Sequence, residues 1–143
     1  MKISFPDARE ESPAFGEIYR PSAEVLFQAR ESGKWYTVTM VVDTGADVTL
    51  LPRWLADALE IDLERDCQII EMNGIGGGEN IWLFRHVKAQ LGPWQRWIPV
   101  GFVEREDVPP LLGRKDFFET FRAVFDKHAV TFSESRARRR AVR

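Results

Sequence analysis

The sequence predicts an all-β, barrel-like domain with one or two short helices. Its apolar residues fall in many short runs that are rich in β-branched and aromatic side chains, as in strands. Glycine, proline and polar turn residues separate these runs, and little of the chain has helical spacing. No internal repeat interrupts the pattern. Many short strands with few helices are typical of a closed β-architecture.

Size and composition fit a single folded unit. The 143 residues are 44% hydrophobic and 29% charged, which is a globular rather than a disordered profile. No apolar run reaches the roughly 20 residues of a membrane helix, and residues 1–7 lack the apolar core of a signal peptide. Cys67 is the single cysteine, so we expect no internal disulfide, no metal cluster and a cytoplasmic location.

Charge is distributed unevenly along the chain. The last eight residues, 136–143, contain five arginines and no acid, so the rest of the chain carries a net charge of −7. A basic tail can bind nucleic acid or an acidic partner, but no other segment is basic enough to extend such a surface. We therefore interpret residues 136–143 as a solvated tail, residues 1–20 as an irregular N-terminal arm and residues 21–135 as the domain.

The predicted elements follow the hydrophobic pattern in order. Residues 25–30 and 35–42 are apolar runs on either side of the turn 31–34, which predicts a β-hairpin. Residues 51–59 have helical spacing, with Pro52 in the first turn, where proline is tolerated. Further strands are predicted at residues 67–72, 81–91 and 94–103, a short helix at 114–121, and a closing hairpin from 123–125 and 129–132.

One carboxylate stands at the end of the second predicted strand. Asp43 follows Val42 and opens the tight turn made by Thr44 and Gly45, and residues 48–51 resume an apolar run. A buried carboxylate is costly unless it is hydrogen-bonded or paired. A fold that places Asp43 in such a turn is therefore expected to use it.

Two glycine-containing segments accompany this turn. Residues 73–78 read Asn-Gly-Ile-Gly-Gly-Gly between two predicted strands, and glycines there can adopt positive φ and flex, as a substrate lid requires. The alternative is an ordinary flexible hairpin loop; a phosphate loop is excluded because no lysine follows and no helix begins. Residues 111–114 read Leu-Leu-Gly-Arg just before the predicted short helix.

Together and in this order, the three segments resemble the retropepsin-like aspartic proteases over about residues 22–132. Asp-Thr-Gly-Ala resembles that family's active-site turn in its retroviral type, the glycine-rich hairpin resembles its lid, and Leu-Leu-Gly its C-terminal strand. These enzymes need two such aspartates facing each other, and this chain has one Asp-Thr-Gly. The resemblance therefore implies a retropepsin-like barrel that works as a homodimer on a peptide or protein substrate.

The resemblance also implies catalytic roles. Asp43 would share one proton with the partner's Asp43, because two carboxylates a few ångströms apart do not both ionise. One would act as base toward a water and the other as acid toward the peptide carbonyl. Thr44 would hydrogen-bond across the dimer axis, and Gly45 would let the substrate backbone approach. No metal or cofactor is implied.

Substrate contacts and structural roles complete the comparison. The substrate-binding residues implied are Ala46, Asp47, Gly74, Ile75, Gly76 and Gly77. Leu112 and Gly113 would be structural, and Arg114 would form a partly buried ion pair with Asp47. On that basis we expect Arg114→Ala to loosen the domain far more than Arg140→Ala.

Ala46 differs from the residue that pepsin-like enzymes often carry at this place, which is serine. A serine hydroxyl would donate a hydrogen bond to the carboxylate and favour its charged form. Alanine removes that donor. We therefore expect a pH optimum less acidic than that of pepsin.

Three functions remain open from the sequence. The first is a homodimeric aspartic endopeptidase. The second is a non-catalytic peptide-binding or scaffolding domain on the same fold, because a fold alone does not determine activity. It draws support from Glu79 beside the lid tip and from termini that do not clearly match the strands joining retroviral subunits. The third, a nucleic-acid-associated protein led by residues 136–143, is the one we least expect.

Overall fold

The computed structural model describes residues 1–74 and 77–135. The described part is mainly β-strand, with two short α-helices and one 3₁₀-helix, which confirms the predicted all-β class. None of these helices has the length and hydrophobicity of a membrane span. Ile75, Gly76 and the tail 136–143 lie outside the described residues. The nucleic-acid hypothesis, which depends on that tail, therefore stays a prediction, as does the cytoplasmic location.

Twelve strands are described. The first half of the chain contains β1 (Ile3–Pro6), β2 (Ala8–Ser12), β3 (Gly16–Arg20), β4 (Ser22–Gln28), β5 (Trp35–Val42) and β6 (Thr49–Pro52). The second half contains β7 (Gln68–Gly74), β8 (Gly77–Leu91), β9 (Trp94–Val103), β10 (Leu111–Leu112), β11 (Phe121–Asp126) and β12 (Ala129–Glu134). The helices are α1 (Trp54–Ala58), α2 (Leu63–Asp66) and the 3₁₀-helix Phe118–Thr120.

Seven strands form a sheet that closes on itself. Their order is β4-β5-β10-β6-β9-β8-β7, and an additional pairing of β4 with β8 joins the two sides into a barrel. The short strand β10 lies parallel to β5 and antiparallel to β6. It therefore separates the strand that leads into Asp43 from the strand that follows the turn.

A three-stranded sheet of order β1-β12-β11 packs against the barrel. Phe132 on β12 is fully buried, and the rings of Phe5, Phe118 and Phe121 surround it at centroid distances of 6.1 to 6.2 Å. These edge-on contacts continue the main hydrophobic core, which also contains the barrel residues Phe27 and Phe102. The sheet thus ties both ends of the described chain to the barrel.

The prediction of an irregular N-terminal arm is wrong for residues 1–20. β1 pairs with β12, and β2 pairs with β3 in a hairpin held by ion pairs from Arg9 to Glu17 and from Arg20 to Glu10. The strands β2 and β3 have mostly exposed side chains, many of them charged, so they lack the apolar alternation that signals a strand. The division into arm, domain and tail stays a prediction.

Two predicted helices are also corrected. Leu51 and Pro52, assigned to a helix over 51–59, end β6, which is paired with β9 and β10, and α1 begins only at Trp54. The predicted helix 114–121 shortens to the 3₁₀-helix Phe118–Thr120 because Phe121 starts β11. At Leu51 and Pro52 strand pairing with distant segments overrides local helical spacing, whereas Phe121 is taken into the hairpin with β12.

Other predicted elements agree more closely, and one was missed. Residues 35–42 and 94–103 have the bounds of β5 and β9. The helix α2 was not predicted, although Asp62 marks its start. The Asp62 carboxylate accepts hydrogen bonds from the backbone N–H groups of Glu64 and Arg65, as an N-cap residue does.

Replacing Phe132 by alanine tests whether the three-stranded sheet shares the barrel's core. We expect Phe132→Ala to reduce the free energy of unfolding by about 3–5 kcal/mol, because it removes a fully buried ring. Phe15→Ala is the matched control, since Phe15 is 82% exposed, and should change it by less than about 0.5 kcal/mol. Urea unfolding measures both variants, and equal losses would contradict a shared core.

Candidate active site

Asp43 follows strand β5 and begins a turn that is closed by backbone N–H groups of the turn itself. Gly45 N–H donates a hydrogen bond to Asp43 Oδ1 at 2.9 Å, and Ala46 N–H donates to Asp43 O at 3.2 Å. Asp43 N–H in turn donates to Leu112 O at 3.3 Å. The carboxylate is therefore oriented by the Thr-Gly turn and by the neighbouring strand β10.

The segment 111–115 clamps the far side of the same turn. Leu111 and Leu112 pair with the last two residues of β5. Beyond them, Arg114 N–H donates to Ala46 O at 2.9 Å and Lys115 N–H donates to Asp47 O at 2.8 Å. Backbone hydrogen bonds thus hold the turn on both sides, which leaves little freedom for the position of Asp43.

Gly113 makes this close approach possible. A β-carbon there would overlap the carbonyl group of Val48 and come within 2.6 Å of the Thr49 backbone nitrogen. The Gly113 N–H donates to the buried hydroxyl oxygen of Thr49 at 3.0 Å. The predicted structural role of Gly113 thus has a physical reason. Its hydrogen-bond partner Thr49 was not among the predicted site residues.

The turn opens at the surface of the protomer. Asp43 and Ala46 are half-buried, whereas Thr44, Gly45 and Asp47 are exposed. Full burial of the Asp43 carboxylate within one protomer, which the sequence suggested, is therefore not observed. The exposed groups are backbone and side-chain atoms that a substrate or a second protomer can reach.

The expected ion pair between Asp47 and Arg114 is absent from the described part of the chain. Both side chains are exposed, and the two segments are joined instead by the backbone bonds of Arg114 and Lys115. The physical basis for a large effect of Arg114→Ala is therefore missing. Arg140, its comparison, lies in the tail outside the described residues.

The lid hairpin is described up to its last two tip residues. β7 and β8 pair as far as Gly74 opposite Gly77, which brings two of the predicted substrate-binding residues together as neighbours. Ile75 and Gly76 lie outside the described residues. The hairpin thus keeps strand pairing to the edge of its glycine-rich tip.

A small hydrophobic cluster connects this hairpin to the Asp43 turn. Val48, directly after the turn, is buried with Ile81 and Leu83 of β8 and Val103 of β9. Met72 of β7 packs on the same cluster. The base of the lid and the end of the turn therefore share one apolar contact surface. The sequence offered no signal for this, since the members lie far apart in the chain.

Other reactive or concave features lie away from the turn. A groove of about 980 Å³ is lined by α1, α2 and the segment after β9, and the Asp43 turn does not contribute to it. Burial raises the pKa of the Cys67 thiol to about 11, with Asp66 adding to the effect, so this thiol is protonated at neutral pH. Within residues 1–74 and 77–135, no group of three His, Cys, Asp or Glu side chains is arranged to hold a metal ion.

A family model described as aspartyl protease matches residues 27–115. The matched region runs from β4 to the residue after Arg114, so it includes the Asp43 turn, the lid hairpin and β10. The search of curated proteins found no match.

Gly113→Ala tests the clamp on the turn. Because its β-carbon would meet rigid backbone at Val48 and Thr49, we expect a loss of about 2 kcal/mol or more in the free energy of unfolding. Gly101→Ala is the matched control at a second buried glycine, where the β-carbon meets only side-chain ends of Ile81 and Leu50. The free energy of unfolding of Gly101→Ala, measured by urea unfolding, should fall by less than about 1 kcal/mol. A smaller loss for Gly113→Ala than for Gly101→Ala would contradict the clamp.

Proposed function

The chain belongs to the aspartyl protease family, whose model matches residues 27–115, and on this premise we propose that it is a homodimeric aspartic endopeptidase. The observation that carries the proposal is the Asp43 turn, held by backbone hydrogen bonds on both sides and open at the protomer surface. Such a turn presents one oriented carboxylate. A second copy of the chain would supply the other.

The need for two carboxylates follows from the reaction. Hydrolysis of a peptide bond requires a base to activate water and an acid to protonate the carbonyl oxygen. Asp43 and the partner's Asp43 would share one proton, because their mutual repulsion prevents both from ionising. The pair then holds one base and one acid at the same time.

The proposed reaction passes through a tetrahedral intermediate. The charged carboxylate takes a proton from a water, and the water oxygen bonds to the peptide carbon. The carbonyl oxygen takes the proton of the other carboxyl group, which gives a neutral tetrahedral diol. Return of a proton from the diol to the pair, and transfer of a proton from the pair to the amide nitrogen, accompany breakage of the carbon–nitrogen bond. The products are a carboxylic acid and an amine, with the pair ready for another cycle.

Neighbouring residues would position the substrate. Thr44 is exposed beside Asp43 and would hydrogen-bond across the dimer axis, while exposed Gly45 leaves room for an extended peptide backbone. Ala46 and Asp47 continue this edge, and the backbones of both are already oriented by the 111–115 segment. We assign the lid residues 74–77 to the opposite side of the peptide.

Asp43→Asn tests the catalytic assignment. The amide keeps the size of the carboxylate but cannot act as base, so we expect cleavage of an internally quenched peptide library to fall by about a thousandfold or more. Asp57→Asn on α1 is the control, because Asp57 is an exposed carboxylate outside the turn, and should cleave like the wild type.

The oligomeric state and the peptide affinity of the same proteins are measured by sedimentation velocity and by a binding assay. Undiminished cleavage by Asp43→Asn would contradict the assignment of Asp43. A wild-type dimer that binds peptides tightly and cleaves none of them would instead favour the alternative function, a peptide-binding domain on this fold.

Ala46→Ser tests the pH dependence. A serine hydroxyl beside the carboxylate would stabilise its charged form, so the pair would lose its proton at lower pH. We expect the optimum of kcat/KM to move toward acid relative to the wild type. The pH profile of peptide cleavage measures this shift, and an unchanged or more alkaline optimum would show that residue 46 does not contact the carboxylate.

A further inference from the structure

Trp97 is an exposed aromatic residue on the outer side of the β8–β9 hairpin. Its side chain points away from the core, because Trp97 is 60% exposed whereas Ile98, the next residue of β9, is fully buried. Lys88 is its partner on β8, and the Lys88 Nζ atom lies 5.6 Å from the centre of an indole ring. A large flat ring thus stands at the surface beside a cation.

Two hollows flank this indole, and both are lined by Trp97 and His86. One has a volume of about 330 Å³ and also contains Phe84 and Ile61 in its wall. The other has a volume of about 560 Å³ and extends to Glu134 near the end of β12. Hollows of this size hold small organic groups. We call the indole and the two hollows the Trp97 face.

Cationic side chains from separate parts of the chain line the Trp97 face. They are Arg30 in the turn after β4, Arg85 and Lys88 on β8, and Arg96 on β9. Within residues 1–74 and 77–135, Arg85 and Lys88 form no ion pair. Folding therefore collects cations that no single segment of the sequence contains.

Two acidic side chains also line the larger hollow, and each has a basic neighbour. Glu134 lies 3.2 Å from Arg96, and Asp116 lies 3.9 Å from the Nζ atom of Lys115. The cations on the Trp97 face thus outnumber its acids, and the acids are partly neutralised. The Trp97 face is positively charged, although residues 1–135 together carry a net charge of −7.

A β-bulge explains how Arg85 reaches this face. The register of β8 against β9 shifts by one residue between Phe84 and Val87. Arg85 and His86 are consequently both exposed, although neighbouring residues of a regular strand point to opposite sides. The Arg85 guanidinium donates one hydrogen bond, to the side chain of Gln68 at 3.0 Å, which leaves further N–H groups for an anionic ligand.

A second exposed tryptophan has the opposite surroundings. Trp54 is 68% exposed and lines the groove of about 980 Å³ formed by α1, α2 and the segment after β9. Seven acidic and three basic residues line that groove. Of the two exposed tryptophans, only Trp97 therefore combines a free aromatic ring with positively charged surroundings.

The chain leaves the described part at the Trp97 face. Glu134 lines the larger hollow, and Ser135 is the last described residue. Residues 136–143 follow, with five arginines and no acid. Eight residues span at most about 29 Å when fully extended, so these arginines stay within that distance of Ser135. The most basic segment of the sequence is thus tethered to the most exposed cations of β8 and β9.

We propose that the Trp97 face, together with residues 136–143, binds single-stranded nucleic acid. Trp97 stacks on a base, while Arg85, Lys88 and the tail arginines contact phosphates on either side of it. A single strand fits better than a duplex, whose bases stack on one another and leave no free base face. An acidic peptide would satisfy the cations but not the exposed indole. This binding activity goes beyond the proposed protease and does not depend on it.

Tryptophan variants of the full chain test the stacking contact. A fluorescein-labelled oligothymidylate of about 15 nucleotides is the probe, and fluorescence anisotropy measures its Kd. Trp97→Ala should raise the Kd by about tenfold or more, whereas Trp97→Phe keeps a flat ring and should retain most of the affinity. Trp54→Ala is the matched control and should bind like the wild type. Circular dichroism establishes that each variant is folded.

The salt dependence of the Kd tests the phosphate contacts. Each cation that neutralises a phosphate of a single strand contributes about −0.7 to the slope of log affinity against log salt concentration. Arg85→Gln should therefore reduce the slope by about 0.7, while Arg65→Gln in the acidic groove should leave it unchanged. Replacing all five tail arginines by glutamine should reduce the slope by up to about 3.5.

The other outcomes overturn the proposal. They are no binding by the wild type at low salt, or equal losses for Trp97→Ala and Trp54→Ala. Binding that needs the tail arginines but not Trp97 would belong to the tail alone. Equal competition by polyglutamate would show a general anion site instead of a nucleic-acid site. Asp43→Asn should bind the oligonucleotide like the wild type while losing peptide cleavage, so the two proposals succeed or fail separately.

Discussion

The contact of the 111–115 segment with the Asp43 turn is the constraint on which the rest of the structure depends. It needs a residue without a β-carbon at position 113, because the backbone of Val48 and Thr49 occupies that space. The backbone bonds from Arg114 and Lys115 then fix the far side of the turn. Since β10 also lies between β5 and β6, the same contact joins two parts of the seven-stranded sheet. A larger side chain in place of Gly113 would therefore disturb both the fold and the position of the candidate catalytic carboxylate.

Polar and apolar contacts have different roles around the Asp43 turn. Backbone hydrogen bonds determine where Asp43 stands, whereas the cluster around Val48 and Ile81 connects the turn to the lid hairpin. Hydrogen bonds are directional and apolar packing is not, so the first defines the orientation of Asp43 more closely than the second defines that of the hairpin. The half-exposure of Asp43 in one protomer fits a site that a second protomer completes.

The sheet β1-β12-β11 adds a second layer to the domain. It fastens both ends of the described chain to the core through Phe132. The rings of Phe5, Phe118 and Phe121 lie around Phe132, so this sheet and the barrel share one hydrophobic core.

The sequence by itself determined the all-β class, the strands 35–42 and 94–103, and the three segments that identify the family, because local side-chain pattern and turn chemistry are properties of neighbouring residues. It did not determine β6, whose strand state comes from pairing with segments about fifty to sixty residues away. It also mispredicted an Asp47–Arg114 ion pair and missed Thr49. The spacing of residues along a chain does not say whether two side chains or two backbones will meet. Only the tertiary structure decided that backbone hydrogen bonds, not an ion pair, hold the turn, and that β11 is the outer of the described strands in its sheet.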